Sequence, residues 1–379
     1  MLLRAAALLA AASSACPLAH ADAPDPARVL ALMEKVADWQ LAHLEPVLSI
    51  TVAREETRDP RSWQQGAFYA GLTALAERSA SPRFRDAVLA HGRGVEWRLG
   101  ERMYHADDHV VGQSYLWAAA HGGGPDAIKP LRARFDEILA SPSKVGLAVD
   151  ASDDCWERWC WCDALFMAPP VWVGLSAATG DPRYAAFAHR EFAATHDYLY
   201  DREEHLFYRD SRFFDQRDAK GRKLFWSRGN GWVFAGVVRV LAQLPPADPA
   251  RRAYESLFKD MARKLRAVQK SDGYWAPSLL ASSDPSPPEA SGTGFFVYGL
   301  AWGVRAGLLD RAEFEPGLQR GWRALEQAVQ ADGMLGWVQQ VSDRPEQVSR
   351  TDTQFYGVGA FLLAGGAVLD LYATPLRLP

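Results

Sequence analysis

The sequence lacks the residue patterns that most metal and nucleophile chemistry requires. Three of its four cysteines fall as C-x4-C-x-C at 155, 160 and 162, with no histidine cluster nearby, unlike the paired CxxC arrangement of zinc sites. There is no G-x-S-x-G elbow, no Ser-His-Asp order and no GxxxxGK[ST] phosphate loop. No cofactor or metal site is therefore expected. An excess of one charge sign is also missing: 42 Lys and Arg stand against 46 Asp and Glu, a net charge of −4. That balance argues against a nucleic-acid partner held by bulk charge. Beyond the N-terminal leader no stretch supplies the ~20 continuous apolar residues of a membrane span, and FYGVGAFLLAGGAVLDL at 355–371 is short and Gly-rich. No membrane partner is expected, and nothing in the sequence specifies an oligomeric state. Alternating β-type runs are scarce.

What the sequence has in excess is tryptophan. Fourteen Trp in 379 residues is roughly three times ordinary usage. Burying the indole N–H requires a partner, so the excess points to a deep aromatic core or to a cleft that stacks on flat ligands such as sugar rings. The first 21 residues, MLLRAAALLAAASSACPLAHA, carry one Arg, an apolar run and a small-x-small site at Ala19–Ala21. They read as a secretory signal peptide, which predicts a periplasmic or secreted protein. Cys16 raises a lipid anchor, but Ser13 fits that pattern poorly. The mature cysteines permit at most one disulfide and leave a thiol; they read as small apolar residues in a buried helix.

Helical periodicity runs almost throughout, and a unit recurs. Strongly apolar segments begin near Gly66, Gly112, Ala168, Gly231, Gly292 and Gly357, each led by a small residue. Turn signals follow, such as Gly180-Asp181-Pro182, and then an amphipathic segment. Six such pairs predict an all-α fold, an (α/α)6 barrel or six-hairpin toroid, spanning 22–379 as one catalytic domain. An open solenoid is the alternative.

In a closed toroid the loops that enter the inner helices converge on one rim, so chemistry is expected there. HADDHVVGQ at 105–113, CWERWCWCDALFM at 155–167 and FWSRGNGW at 225–232 are unusually polar and aromatic for that position. Asp107 and Asp108 read as helix caps or as site carboxylates. Asp163 lies between Trp161 and Leu165-Phe166, where an unpaired charge is costly and desolvation raises a carboxyl pKa toward that of a general acid. Arg228 offers a bidentate fork for a carboxylate, with Asn230 beside it and Trp226 and Trp232 as stacking faces. His109 alone reads as a core histidine. Trp156 and Trp159 are expected to pack.

At ADDHVVGQSYL, WCDALFMAPP, FWSRGNGWVFAG, EASGTGFFVYGLAWG and YGVGAFLLAG the sequence resembles the unsaturated rhamnogalacturonyl hydrolases of glycoside hydrolase family 105, related to the unsaturated glucuronyl hydrolases of family 88. The resemblance implies the (α/α)6 barrel, an acidic oligosaccharide as partner, and hydrolysis that starts with protonation at C4 of a 4,5-unsaturated uronic acid. It assigns the proton donor to Asp163 and the second carboxylate to Asp108, with Asp107 as alternative. It places Trp226, Arg228 and Trp232 on the substrate, Arg228 facing the uronate carboxylate, and Asn230 belongs to the candidate binding set by its place beside Arg228. His109, Gln113, Trp161 and Arg209 join the candidate binding set. LFYRDSRFF replaces a segment where many members carry a His, so Arg209, Asp210 and Arg212 stand where the leaving sugar is read. Rival readings are another (α/α)6 carbohydrate enzyme, an inverting glycosidase or a polysaccharide lyase, and a non-catalytic sugar-binding protein.

Overall fold

Asp-Pro pairs start two of the helices and show how local sequence sets the frame. Asp25 and Asp181 each accept a hydrogen bond from the backbone N–H two residues on, at 3.1 and 3.0 Å, and the proline that follows opens the helix. Gly180, at φ 73°, ends the preceding helix in the left-handed conformation that glycine adopts without a Cβ clash.

A computed structural model of the chain describes residues 23–44, 59–152 and 154–373. The expected signal peptide at 1–21 and Cys16 lie outside the described residues. Among these residues there are twelve helices of seven or more residues: α1 (Pro26–Ala42), α2 (Trp63–Ala76), α3 (Arg83–Gly94), α4 (Gly112–Ala118), α5 (Lys129–Ala140), α6 (Pro169–Thr179), α7 (Pro182–Leu199), α8 (Ser227–Leu241), α9 (Arg251–Ala267), α10 (Ala290–Arg305), α11 (Arg311–Ala328) and α12 (Phe355–Tyr372). A two-stranded hairpin, β1 (Tyr200–Asp201) and β2 (Leu206–Phe207), follows α7.

The even-numbered helices form the inner ring. Each touches the next, from α2 through α4, α6, α8 and α10 to α12, and α12 packs back on α2. That last contact closes the barrel and excludes an open solenoid. The fold is the all-α (α/α)6 barrel. Helices α1, α3, α7, α9 and α11 cover α12, α2, α6, α8 and α10 from outside. Amphipathicity follows the layer: outer α9 buries Tyr254, Leu257, Phe258, Met261 and Leu265 on one face, whereas α12 is buried nearly all round. By length and composition alone α12 would cross a membrane; here 89% of it lies inside the protein as barrel wall.

Small residues let the inner helices approach closely. A Cβ at Gly71 would collide with the Gly359 carbonyl, and one at Gly359 with that of Ala67, so α2 and α12 cross backbone to backbone. One connected core runs from Val29 to Leu371 and contains ring contacts such as Phe135 on Trp172 at 3.7 Å.

The cysteines depart from expectation. Cys155 lies in a 3-10 turn (Asp154–Arg158) and is disulfide-bonded to Cys160; Cys162 is a free, buried thiol ahead of a short helical turn, Ala164–Met167. The prolines at 169 and 170 explain why no continuous helix runs from the cysteines into α6: neither supplies an N–H, so α6 starts afresh at Pro169.

Candidate active site

The N-terminal ends of the inner helices carry the chemistry. Asp107 ends up at this rim because residues 106–108 form a 3-10 turn entering α4, and Asp163 because it caps the Ala164–Met167 turn entering α6. A cavity of about 400 Å³ opens between them, lined by both carboxylates with Trp161, Trp156, Arg209 and Arg212. A second, outer cavity of about 620 Å³ shares Asp107, Trp156, Trp161 and Arg209 and continues past Tyr104, His105 and Glu157. The two make one cleft.

Electrostatics at the cleft floor favour a held proton. Burial raises the Asp107 carboxyl to about 7; Asp108 and Asp163 add to this, against the pull of Arg102 and Arg209. Burial also raises Asp163, opposed first by Arg209, whose Nε lies 3.9 Å from Oδ2. The Cys162 thiol donates to the same oxygen at 3.3 Å. Among the described residues the Asp107 carboxyl has no hydrogen-bond partner; the His105 Nδ1 stands 3.9 Å from it. That imidazole is neutral, because burial and then the Arg102 charge lower it to about 3.

Arg209 is brought beside Asp163 by main chain. The Cys162 N–H donates to the Arg209 carbonyl at 2.8 Å. Its guanidinium donates to the fully buried Asp210 at 2.6 Å and lies 5.3 Å from the Trp156 ring centre. Burial acts against the Asp210 charge, but hydrogen bonds from Arg212 and Arg209 hold its pKa below the usual carboxylate value. Asp210 thus aims two arginines at the cleft while cancelling one of their charges. The Arg209 Nε is buried without a hydrogen-bond partner.

Several expected site residues are elsewhere. Asp108 accepts from the Arg102 backbone N–H at 2.7 Å and from its guanidinium at 3.0 and 2.5 Å. It closes the 100–108 loop and is not in the cleft lining, whereas Asp107 is. Arg228 is 0% exposed and donates to the Gln339 and Gln340 carbonyls, sandwiched between Trp226 and Tyr356 at 4.3 and 4.7 Å. It is not in the cleft lining, where Arg209 and Arg212 are the cations. Trp226 is buried under Arg228 and donates its indole N–H to Gln339 at 3.1 Å. Trp232 is wholly buried among Trp63, Phe166, Phe295 and Tyr356. Neither ring offers a face to a ligand.

Asn230 pairs with the Phe207 backbone, accepting its N–H at 2.8 Å and donating to its carbonyl at 3.0 Å, and so extends β2. Gln113 donates to the Phe166 carbonyl at 2.8 Å and lines a different cavity at the far end of the barrel. His109 is a core histidine between Phe135 and Trp172, held by the Met103 carbonyl at 3.1 Å. In the other direction, Trp156 lines the cleft where packing was expected, whereas Trp159 packs on Phe187. Arg212, placed by the sequence where the leaving sugar is read, lines the cleft, and His105, Asp343 and Glu346 are cleft residues that the sequence did not single out. The charged run R-D-S-R was the signal for Arg212; a loop distant in sequence left none for Asp343 and Glu346.

The sequence model of Glycosyl Hydrolase Family 88 matches residues 32–372. An unsaturated 3S-rhamnoglycuronyl hydrolase of Alteromonas sp. (strain LOR) is 40% identical over 349 residues, 89% of this chain and 84% of that protein. The solved structure of a glycosyl hydrolase family 88 protein from Bacteroides vulgatus is 27% identical, with a TM-score of 0.80 over 92% of this chain and 100% of the other. Another solved structure, described as a polysaccharide lyase, is 29% identical, with a TM-score of 0.79 over 91% of this chain and 97% of the other.

Proposed function

The chain belongs to Glycosyl Hydrolase Family 88, and from that membership we propose that it removes a 4,5-unsaturated uronic acid from a rhamnose-linked oligosaccharide end left by a lyase. The observation that carries the reading is the convergence of Asp107, Asp163, Arg209 and Trp161 on one cavity. A raised carboxyl pair supplies a proton near neutral pH, a guanidinium meets the uronate carboxylate, and indole faces meet the sugar rings.

The chemistry is hydration of an enol ether. The Asp163 carboxyl delivers its proton to C4, leaving positive charge at C5 shared with the ring oxygen. Water adds at C5 and yields its proton to the Asp163 carboxylate, which resets the acid. The hemiketal then opens, and the leaving sugar departs with its hydroxyl restored. Asp107, facing the same space, shares the pair's proton and stabilises the positive charge. No covalent glycosyl intermediate is needed, unlike the two-carboxylate retaining scheme. The outer half of the cleft, past Tyr104 and Glu157, receives the leaving sugar.

A lyase reading draws on the similar structure so described and on Tyr104 and His105 in the outer cavity. The Tyr104 hydroxyl, however, donates to the Ser141 carbonyl at 2.6 Å, so it is not free to serve as the acid or base of an elimination. Export is proposed as well, from the leader ending at Ala21 and a disulfide of the kind found in oxidising compartments; N-terminal sequencing of protein from the producing cell tests it.

The deciding experiment follows the enol-ether ultraviolet absorbance of lyase-cut rhamnose-linked disaccharides. Loss of absorbance with release of the leaving sugar is expected. New absorbance on intact polysaccharide would instead identify a lyase, and binding without turnover a sugar-binding protein.

A further inference from the structure

The barrel has two mouths, and the one opposite Asp163 holds a cavity of its own. It measures about 460 Å³ and is lined by Gln113 and Trp117 of α4, Arg239 of α8, Gln243 just after α8 and Tyr298 of α10, among others. An adjoining cavity of about 280 Å³ shares Trp117, Arg239 and Tyr298.

Polar atoms here are buried without partners. Gln113 is 4% exposed; its Nε2 is fixed on the Phe166 carbonyl, yet its Oε1 has no hydrogen-bond donor. The Arg239 Nε is likewise buried and unpartnered. Each such atom costs free energy unless something fills the cavity and meets it. Arg239 forms no ion pair among the described residues, whereas its neighbours Arg78 and Arg305 both engage Asp370. Trp117, half-buried and anchored by its indole N–H on Glu77 at 3.0 Å, adds a flat apolar wall.

A carboxylate would supply Arg239 with its counter-charge, a hydroxyl would donate to Gln113 Oε1, and a C–H ring face would lie on Trp117. We propose that this far mouth is a second binding site for a hexuronate, distinct from the catalytic cleft. The Gln113 bond to Phe166 joins it to the helical turn that carries Asp163.

Isothermal titration of the full chain with D-glucuronate tests this, because a saturated uronate has no C4=C5 bond to hydrate and the readout needs no turnover. An Arg209→Ala background removes the cleft arginine beside Asp163 and weakens carboxylate binding there. Glucuronate binding is expected to persist in that background and to weaken about tenfold or more with Arg239→Ala. Trp117→Ala is expected to weaken it too, and glucose to give no heat. Arg239→Gln, which retains most of the side-chain packing, covers the case that Arg239→Ala fails to fold. Binding that disappears with Arg209→Ala, or that survives both Arg239 variants, overturns the proposal. Equal binding of inorganic sulfate with no dependence on Trp117 overturns the assignment to a uronate. None of these outcomes depends on whether the opposite cleft hydrolyses an unsaturated uronide.

Discussion

Arg228 is bonded to Gln339 across 111 residues of sequence: Nη1 donates to the Gln339 carbonyl at 2.8 Å, and Nη2 reaches the Gln340 carbonyl at the same distance. Tyr356 donates to the same Gln339 carbonyl at 2.6 Å, and Trp226 to its side chain. Immediately beyond, Val341, Ser342, Asp343 and Glu346 form one wall of the cleft. Arg228 therefore holds the base of that wall.

Arg228→Ala is expected to cost about 2–3 kcal/mol of stability, the range for losing charged hydrogen bonds in a buried setting, and to raise KM with a smaller change in kcat. Thermal melting and steady-state kinetics on an unsaturated disaccharide check both. A variant as stable as wild type with kcat selectively lost would show instead that Arg228 acts directly on the reacting sugar.

Among the carboxylates the expected order is unequal. Asp163→Asn should lower kcat by about 10²–10⁴, the usual range for a general acid, and Asp107→Asn by a comparable factor with the fold intact. Asp108→Asn should mainly destabilise, by about 1–2 kcal/mol, because it weakens the charged hydrogen bonds that close the 100–108 loop. Activity lost only with Asp108→Asn would reverse the assignment between the neighbours.

The raised Asp107 pKa sets a pH window. Its carboxyl lies at about 7 in the folded chain against 3.8 unfolded. With a folded value above the unfolded one, the native state binds more protons, and the stability this contributes is full below 3.8 and lost as pH rises through about 7. Activity should fall over the same alkaline limb as the carboxyl pair gives up its proton, with apparent values belonging to the pair. Asp107→Asn is expected to flatten the stability slope between about pH 4 and 7, followed by denaturant midpoints, and to move the kinetic limb. An unchanged limb in both Asp107→Asn and Asp163→Asn would sink the proton-donor role of the pair.

Removing the cleft cation should be felt as binding. Arg209→Ala is expected to raise KM by about tenfold or more, given the strength of guanidinium–carboxylate pairs, whereas Arg209→Lys should recover part of the loss. Because Arg209 pulls the Asp163 pKa down, its removal should also shift the alkaline limb upward. A pH profile measured on Arg209→Ala separates the two effects; a KM equal to wild type would place the uronate carboxylate elsewhere.

The (α/α)6 fold was legible because apolar helices beginning near Gly66, Gly112, Ala168, Gly231, Gly292 and Gly357 repeat six times, and helical period is a local signal. Asp163 was legible for a related reason: a carboxyl inside a Trp- and Phe-rich stretch has to be explained wherever the chain runs. Trp226 and Trp232, bracketing an arginine between glycines, have the local pattern of a stacking site, yet both are core.

Sequence by itself determined the inner and outer helices, the rim where they begin, and the residue types collected there, since periodicity, caps and composition are set by near neighbours. Only the tertiary structure decided which of those residues face the cleft. Asp107 and Asp108 are adjacent in the chain, but Arg102 claims one, and the other faces the cavity. Arg228 and Arg209 carry the same charge, but Gln339 and Gln340 bring carbonyls to the first, while Asp210 orients the second toward Asp163. Those partners arrive from elsewhere in the chain, and the burial that raises a carboxyl pKa exists only once the ring has closed.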